Sequence, residues 1–150
     1  MPREHFSITM TDTELRAFLG SFNRLVLATV APDEGTWGDA VAYHFDGERV
    51  YFRLPVQTRS HANISRDKRV CCAVESSGPS YYDNKAAMLH GVAHELPAGA
   101  SDSIESALAR IPDPVDGTST AGSIFSVGLD NVVSFAFEKI RYRYADRPDL

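Results

Sequence analysis

Long apolar runs are missing from this chain. The longest, such as residues 25–31, have the length of a β-strand, whereas a helix that crosses a bilayer needs roughly 20 apolar residues. The first ten residues also contain no apolar core of the kind that signal peptides carry. The sequence therefore predicts a protein without a membrane segment, and a cytoplasmic location is the default expectation.

Positive charge is scarce as well. The chain has 15 Lys and Arg residues against 20 Asp and Glu residues, which gives a formal net charge of −5. Nucleic acids and anionic membranes are bound largely by clustered Lys and Arg side chains. The composition argues against both as partners, although it leaves room for a local basic pocket that binds a phosphate.

Cysteine is limited to an adjacent pair, Cys71 and Cys72. Their spacing fits neither a metal site nor a redox Cys-x-x-Cys motif. Neighbouring side chains on a strand point to opposite faces, so we expect two reduced packing residues rather than a vicinal disulfide. The five histidines do not form a ligand set either, because His90 and His94 lie in a strand pattern, and we predict no metal site.

Strand patterns dominate what is present. The length of 150 residues fits one domain, residues 1–150, with a single core. Six segments have the alternation or composition of strands, and their short turns favour antiparallel neighbours. Six such strands favour a closed or nearly closed barrel, which leaves few free sheet edges. The segments are residues 24–31, 37–45, 48–54, 69–75, 86–96 and 132–144.

Helical patterns are shorter and fewer. Each of three predicted helices has a hydroxyl residue that can cap its first turn. The stretch at 112–122 is rich in Pro, Asp, Gly, Ser and Thr and predicts a loop, which could form a lid over a ligand. The predicted helices are residues 12–22 with Thr11 as cap, residues 58–66 with Thr58, and a third after Ser101.

The densest group of polar side chains follows the third strand, in residues 53–63. It combines two arginines, two hydroxyls, a histidine and the predicted N-terminus of a helix. Helix amides and guanidinium groups together can bind a phosphate. A solvated surface loop is an equally good interpretation, because no Gly-rich phosphate loop is present.

Several short motifs occur in a characteristic order. They are Leu-Val-Leu-Ala-Thr-Val at 25–30, Val-Tyr-Phe-Arg at 50–53, Thr-Arg-Ser-His-Ala-Asn-Ile at 58–64, Arg-Asp-Lys-Arg-Val at 66–70 and Gly-Val-Ala at 91–93. Over about half of the chain, this order resembles the flavin-binding split-barrel superfamily, which includes pyridoxamine-phosphate oxidases, nitroimidazole-resistance proteins and deazaflavin-dependent reductases. The resemblance implies a mainly β fold with short helices, a six-stranded antiparallel split β-barrel.

The resemblance further implies an FMN site at the interface of a homodimer. In the family, the second and third strands lie against the isoalloxazine ring, and the loop after the third strand holds the phosphate. Carried over by position, the ring contacts are Val41, Ala42, Tyr43, His44, Phe52 and Arg53. The phosphate contacts are Thr58, Arg59 and Ser60, and Asn63 braces the start of the helix.

One position departs from the family pattern. Ser60 stands where the family commonly has Lys, which removes a positive charge from the implied phosphate site. Arg53, Arg59 or His61 could supply that charge instead. A different flavin-like ligand or an empty pocket also stays open.

Other residues are weaker candidates. Tyr82 and Lys85 could reach the cofactor from the partner chain, although aromatic residues more often pack and lone lysines are more often solvated. No catalytic acid or base can be named. His44 and Arg53 are the best candidates for the pocket, because histidine suits hydrogen bonding and proton transfer.

Three functions stay open at this stage. The first is an FMN-dependent oxidoreductase that acts on a small, aromatic or conjugated molecule, with the cofactor supplying the hydride chemistry. The second is a reductase that uses F420, whose acidic tail Arg53, Arg59, Arg66 and Lys68 could bind. The third is a flavin- or haem-binding carrier or sensor without turnover. Pyridoxamine-phosphate oxidase activity itself is less expected, because residues 139–144 do not match the substrate-binding segment of those enzymes.

Overall fold

The computed structural model describes residues 7–112 and 122–144. Within these ranges the chain forms nine strands, three α-helices and two short 3-10 helices, at Tyr81–Asp83 and Phe137–Tyr144. The helices are α1 (Asp12–Gly20), α2 (Arg59–Arg66) and α3 (Asp102–Ala109). The strands are β1 (Arg24–Ala31), β2 (Gly35–Ala42), β3 (His44–Phe45), β4 (Val50–Leu54), β5 (Arg69–Ser76), β6 (Lys85–Val92), β7 (His94–Glu95), β8 (Ser123–Val127) and β9 (Val132–Ala136).

Two antiparallel sheets close into one barrel. The larger sheet has the order β2-β1-β5-β6-β9 and the smaller has the order β3-β4-β8-β7. The chain passes from the larger to the smaller sheet at Tyr43, between β2 and β3, and again at Ala93, between β6 and β7. If each bent pair is counted as one strand, six strands form a closed ring, and β9 lies outside it beside β6. The predicted mainly β, six-stranded antiparallel split barrel is confirmed.

The identity of the sixth strand was predicted wrongly. The segment at 132–144 is a strand only to Ala136 and then continues as a 3-10 helix. This second half alternates like a strand, but Lys139 Nζ donates to the carbonyl of Thr9 and to Glu14 Oε1, both at 2.7 Å, which ties the segment to the start of α1. Long-range contacts of this kind leave no mark in a local pattern.

The true sixth strand is β8, which the sequence analysis did not predict. Four consecutive residues, 124–127, are buried, so the segment lacks the alternation of a strand with one solvent-exposed face. Phe125 and Val127 belong to the main core, whereas Ile124 packs against Ile104 and Leu108 of α3. Because both faces of β8 are covered, its pattern cannot be distinguished from that of a short apolar loop.

The core is built from alternating strand residues. On β1 the buried positions include Leu25 and Leu27, and on β4 they are Val50, Phe52 and Leu54. Complete burial of one such side chain contributes roughly 2 kcal/mol. Helix α1 adds Leu15, Phe18 and Leu19 to the same core, and its first turn is closed by the predicted capping box of Thr11 and Glu14.

The adjacent cysteines take opposite faces of β5, as predicted. Cys72 is fully buried in the core, Cys71 is half-buried on the other face, and both are free thiols. Burial raises the pKa of the Cys72 thiol to about 12. Cys72 is therefore an unreactive packing residue.

Two remaining features concern the loop and the helices. The predicted loop at 112–122 lies outside the described residues except at its two ends, so the lid remains a prediction. In residues 7–112 and 122–144, no helix has the length and apolar character needed to cross a membrane.

We expect Gly122→Ala to destabilise the fold strongly. Gly122 has φ +121°, and a Cβ there would collide with the carbonyl oxygen of Leu54. Gly47→Ala is the matched control, because Gly47 has φ +101° but nothing within 4 Å of the added carbon. The positive φ alone costs about 1–2 kcal/mol, and the collision should bring the loss for Gly122→Ala to roughly 3 kcal/mol or more. Urea unfolding measures both, and equal losses would show that the contact with Leu54 is unimportant.

Candidate functional site

The predicted ring contacts at residues 41–44, on β2 and the start of β3, lie on two different faces. Val41 packs against the core, and Tyr43 is fully buried in it. The Tyr43 hydroxyl donates to the carbonyl of Leu19 at 2.6 Å, and burial raises its pKa. Ala42 and His44 alternate with these residues and therefore lie on the outer side of the barrel. Only the outer pair can offer side chains to a ligand.

The same division holds on β4. Phe52 is fully buried in the core, whereas Tyr51 and Arg53 alternate with it on the outer side. His44 is paired directly with Tyr51 in the antiparallel ladder. Ala42 lies two residues before His44, and Arg53 lies two residues after Tyr51, so both have the same outward orientation as this pair. We call these four residues, Ala42, His44, Tyr51 and Arg53, the Arg53 face.

Arg53 carries an unusual polar atom. Its Nε is buried and makes no hydrogen bond within the described part of the chain. A buried donor without an acceptor is costly, and more so when it belongs to a charged group. The guanidinium group therefore fits a ligand that presents an oxygen acceptor on the Arg53 face.

The predicted phosphate contacts form a separate group at the start of α2. Thr58 caps the helix, since its Oγ1 accepts from the amide of His61 at 3.3 Å and donates to the carbonyl of Pro55 at 2.8 Å. Ser60 is fully buried, and its hydroxyl donates to Asp39 Oδ2. Each of these two hydroxyls therefore already has a partner inside the protein.

Arg59 is also engaged. Its Nη1 lies 2.7 Å from Glu34 Oε2, and its guanidinium group lies 4.3 Å above the ring of Trp37. Trp37 in turn donates from Nε1 to Asp39 Oδ2 at 3.1 Å. We call Glu34, Trp37, Asp39, Arg59 and Ser60 the α2 cluster.

The α2 cluster does not fit a phosphate as it is arranged. It contains two carboxylates, and like charges oppose the binding of an anion. Ser60 replaces the Lys of the family pattern and faces Asp39 instead of solvent. The sequence analysis missed Asp39 and Glu34. Asp39 could have been found from the sequence, because residues 37, 39 and 41 are two apart and therefore share one side of β2.

Asn63 braces α2 from inside the fold. It is 1% exposed, its Nδ2 donates to Thr29 Oγ1 at 3.0 Å, and its Oδ1 accepts from Arg66 at 3.2 Å. His61 adds a second tie, because its Nε2 lies 3.0 Å from Ser123 Oγ on β8. The orientation of α2 is thus fixed by buried polar contacts to two strands.

Tyr82 and Lys85 lie apart from both groups. Lys85 begins β6 in the larger sheet and forms an ion pair with Glu138 at 2.9 Å. Tyr82 is 7% exposed, packs edge-on against Tyr81, and has a hydroxyl without a partner among the described residues. One chain does not bring them to the Arg53 face, so their contribution from a partner chain stays a prediction.

The family of the chain follows from its sequence. A model of the pyridoxamine 5'-phosphate oxidase family matches residues 11–143, which include the barrel, the Arg53 face and the α2 cluster. The chain belongs to this family. No curated protein matches it.

Several solved structures have a similar fold. An FAD-binding protein from Mesorhizobium loti has a TM-score of 0.70 at 18% identity, over 84% of this chain and 94% of that one. A conserved hypothetical protein from Mycobacterium tuberculosis has a TM-score of 0.67 at 19% identity, over 92% of each chain. A haem-binding protein from Mycobacterium smegmatis has a TM-score of 0.60 at 20% identity, over 87% of this chain and 60% of that one. At these identities the likeness establishes the fold.

We expect Ser60→Ala to destabilise the protein by about 1 kcal/mol, because it leaves the Asp39 carboxylate with one donor fewer in a buried setting. Ser65→Ala is the matched control. Ser65 lies on the same helix and donates to the carbonyl of His61 at 2.9 Å, but it is exposed. Its loss should stay within about 0.5 kcal/mol. Chemical denaturation compares the two, and an equal effect would remove the structural role of the bond between Ser60 and Asp39.

Proposed function

We propose that the protein binds a flavin on the Arg53 face and acts as an oxidoreductase on a small conjugated molecule. The observation that carries this proposal is the buried Nε of Arg53, which lacks an acceptor among the described residues. The family of the chain and its FAD-binding structural relative support the choice of a flavin. FMN is the form that the family resemblance favours.

Each residue of the Arg53 face has a defined role in this proposal. Arg53 donates to an oxygen of the flavin, either a ring carbonyl or a phosphate. Ala42 is small and leaves space for a flat ring over β2, while His44 can donate to or accept from a polar edge of the ring or of a substrate. The flavin, when bound, supplies hydride transfer. The protein supplies binding and orientation.

The phosphate contact differs from the family expectation. Arg59 is paired with Glu34 and stacked on Trp37, so its charge is largely balanced inside the α2 cluster. We therefore assign the main anion contact to Arg53 and a lesser one to Arg59. The F420 alternative is weakened for the same reason, because it needs free arginines to bind the acidic tail and Arg66 already donates to Asn63.

A haem-binding carrier or sensor is the second candidate function. One structural relative binds haem. His44 on the Arg53 face makes no hydrogen bond with the described residues, and histidine is a common axial ligand of haem iron. The absorbance spectra of flavin and haem complexes differ, so a single titration separates the two candidates.

We expect Arg53→Ala to weaken flavin binding by roughly tenfold to a hundredfold, as removal of a charge-assisted hydrogen bond of about 1.5–3 kcal/mol implies. Absorbance and flavin fluorescence during titration with FMN, then FAD, F420 and haem, measure the affinities. Arg69→Ala is the control, because Arg69 is paired with Asp67 on the surface. Arg59→Ala should have a smaller effect than Arg53→Ala.

The results of these titrations distinguish the two candidate functions. Flavin affinity that Arg53→Ala leaves unchanged contradicts the site. Binding of haem alone favours the carrier or sensor, and binding of none of the four compounds removes the proposed function. The fold stands in each case.

We also propose that two copies of the chain associate through the outer face of the larger sheet. One cross-strand row on that face is apolar on every strand, because the register aligns Ala40, Val26, Ala73, Met88 and Val133. Val26 and Val133 are each 53% exposed. A continuous exposed apolar surface of this kind is typical of a protein interface. A row without charged side chains suits an identical sheet as partner, as expected for a homodimer of this family.

We expect Val26→Glu to convert a dimer into a monomer, because two buried carboxylates would face each other or lie in an apolar interface. Val56→Glu is the matched control, since Val56 is 64% exposed but lies in the turn before α2 and outside the sheet. Light scattering coupled to size exclusion measures the mass. A wild-type monomer, or a Val26→Glu dimer, contradicts this interface.

A further inference from the structure

A cavity lies between α3 and the part of the smaller sheet formed by β3 and β4. Its volume is about 750 Å³, which is within the range of small-molecule sites. His44, Asp46 and Tyr51 line it from the side of the sheet, and Ile104 and Ala107 supply apolar surface from the helix. Polar residues at the start and on the outer side of the helix complete the lining: Ser101, Asp102, Ser103, Ser106 and Arg110. His44 and Tyr51 also belong to the Arg53 face, so the cavity adjoins the proposed flavin site.

One part of the cavity is apolar and held in place. Ile104 and Leu108 pack with Ile124 of β8 in a small cluster that is distinct from the main core, and Tyr51 and Leu96 pack against it. Ser101 caps the start of α3, and its Oγ accepts from the amide of Ile104 at 3.3 Å. The position of α3 above the sheet is thus fixed, and the apolar surface is preformed.

The acidic group on the sheet side of the cavity, Asp46, already has hydrogen-bond partners. Asp46 Oδ1 accepts from the amides of Glu48 and Arg49, each at 2.8 Å, and Oδ2 accepts from the Tyr51 hydroxyl at 2.9 Å. Burial raises the pKa of Asp46, but these hydrogen bonds outweigh it and the pKa is lowered. Asp46 therefore acts as a fixed carboxylate that holds Tyr51 in place.

On the sheet side of the cavity, His44 is the polar group whose ring the described residues leave without a partner. Its ring makes no hydrogen bond with them, whereas Tyr51, opposite it in the ladder, is held by Asp46. An imidazole can donate one hydrogen bond to an oxygen acceptor. The apolar surface of Ile104 and Leu96 faces this imidazole, and the combination suits a molecule with an apolar body and a carbonyl oxygen.

We propose that this cavity binds a small conjugated carbonyl compound, with its apolar body against Ile104 and Leu96 and its carbonyl oxygen accepting from His44. The proposal rests on the proposed function for its substrate role, because successive same-face residues of a strand lie only about 7 Å apart and Arg53 is two residues beyond Tyr51. A compound seated here lies beside a flavin on the Arg53 face.

The test measures binding to the protein without cofactor. Cinnamamide is the neutral probe and cinnamate the charged one, and saturation-transfer NMR follows both. Ala107→Phe places a bulky ring in the cavity and should weaken binding at least about tenfold. Ala109→Phe is the matched control, because Ala109 is exposed on the same helix and does not line the cavity. We expect the control to stay within about twofold of wild type.

Two further variants keep the test decisive. Ser106→Trp blocks the cavity from an exposed position of α3, so it supports or contradicts the cavity even if Ala107→Phe does not fold. His44→Ala should weaken cinnamamide several-fold without changing the effect of Ala107→Phe. Binding of cinnamate alone, or equal affinities in the Ala107→Phe and Ala109→Phe proteins, would overturn the proposal.

The failure of this proposal is distinguishable from the failure of the proposed function. Saturable binding of cinnamamide to a chain that binds no flavin leaves the carbonyl site standing and removes its substrate role. Flavin binding without any saturable binding of cinnamamide removes the carbonyl site alone. A shift of the flavin absorbance on addition of cinnamamide, absent in Ala107→Phe, supports both.

Discussion

The crossing of the chain from one sheet to the other at Tyr43 is the constraint on which the rest of this structure depends. Val41, Tyr43 and Phe45 all contact the core although β2 and β3 belong to different sheets. The hydrogen bond from Tyr43 to Leu19 anchors the crossing to the end of α1. Because the inward residues stay in step through the bend, Ala42 and His44 are both outward, and the Arg53 face exists as one continuous surface.

The charges of the α2 cluster oppose the binding of a phosphate at the start of α2. Two carboxylates, Glu34 and Asp39, occupy the neighbourhood in which the family pattern places a phosphate. Glu34 accepts a hydrogen bond from Arg59, and Asp39 accepts one from Ser60. Both bonds stabilise the packing of α2 on β2. Arg53 has no such partner among the described residues, so the electrostatic preference for an anionic or acceptor-bearing ligand shifts to the outer side of β4. The proposed flavin site follows from this difference between the two arginines.

Local patterns were sufficient for much of the fold. The capping box at Thr11, the strand at 24–31 and the helix after Thr58 all depend on interactions within a few residues, and each was predicted close to its observed bounds. Residues 123–127 and 137–144 depend on distant partners. The first segment is covered on one face by the core and on the other by α3. The second is held by hydrogen bonds from Lys139 to Thr9 and Glu14, which are more than 120 positions away in the sequence. Neither segment could therefore be assigned from its own composition.

Local sequence patterns were enough to indicate the mainly β barrel, the family and candidate ligand contacts such as Arg53 and His44, although they missed Asp39 and Glu34. Alternation, turn chemistry and the order of short motifs are properties of neighbouring residues, and they survive in one dimension. Which of these residues face outward, and which already have a partner, depends on the folded molecule. The pairing of Ser60 with Asp39, of Arg59 with Glu34, and the cavity beneath α3 join segments 21 and more residues apart. Such contacts are selected by burial and charge in the folded molecule, and therefore the candidate site could be assigned only after folding was known.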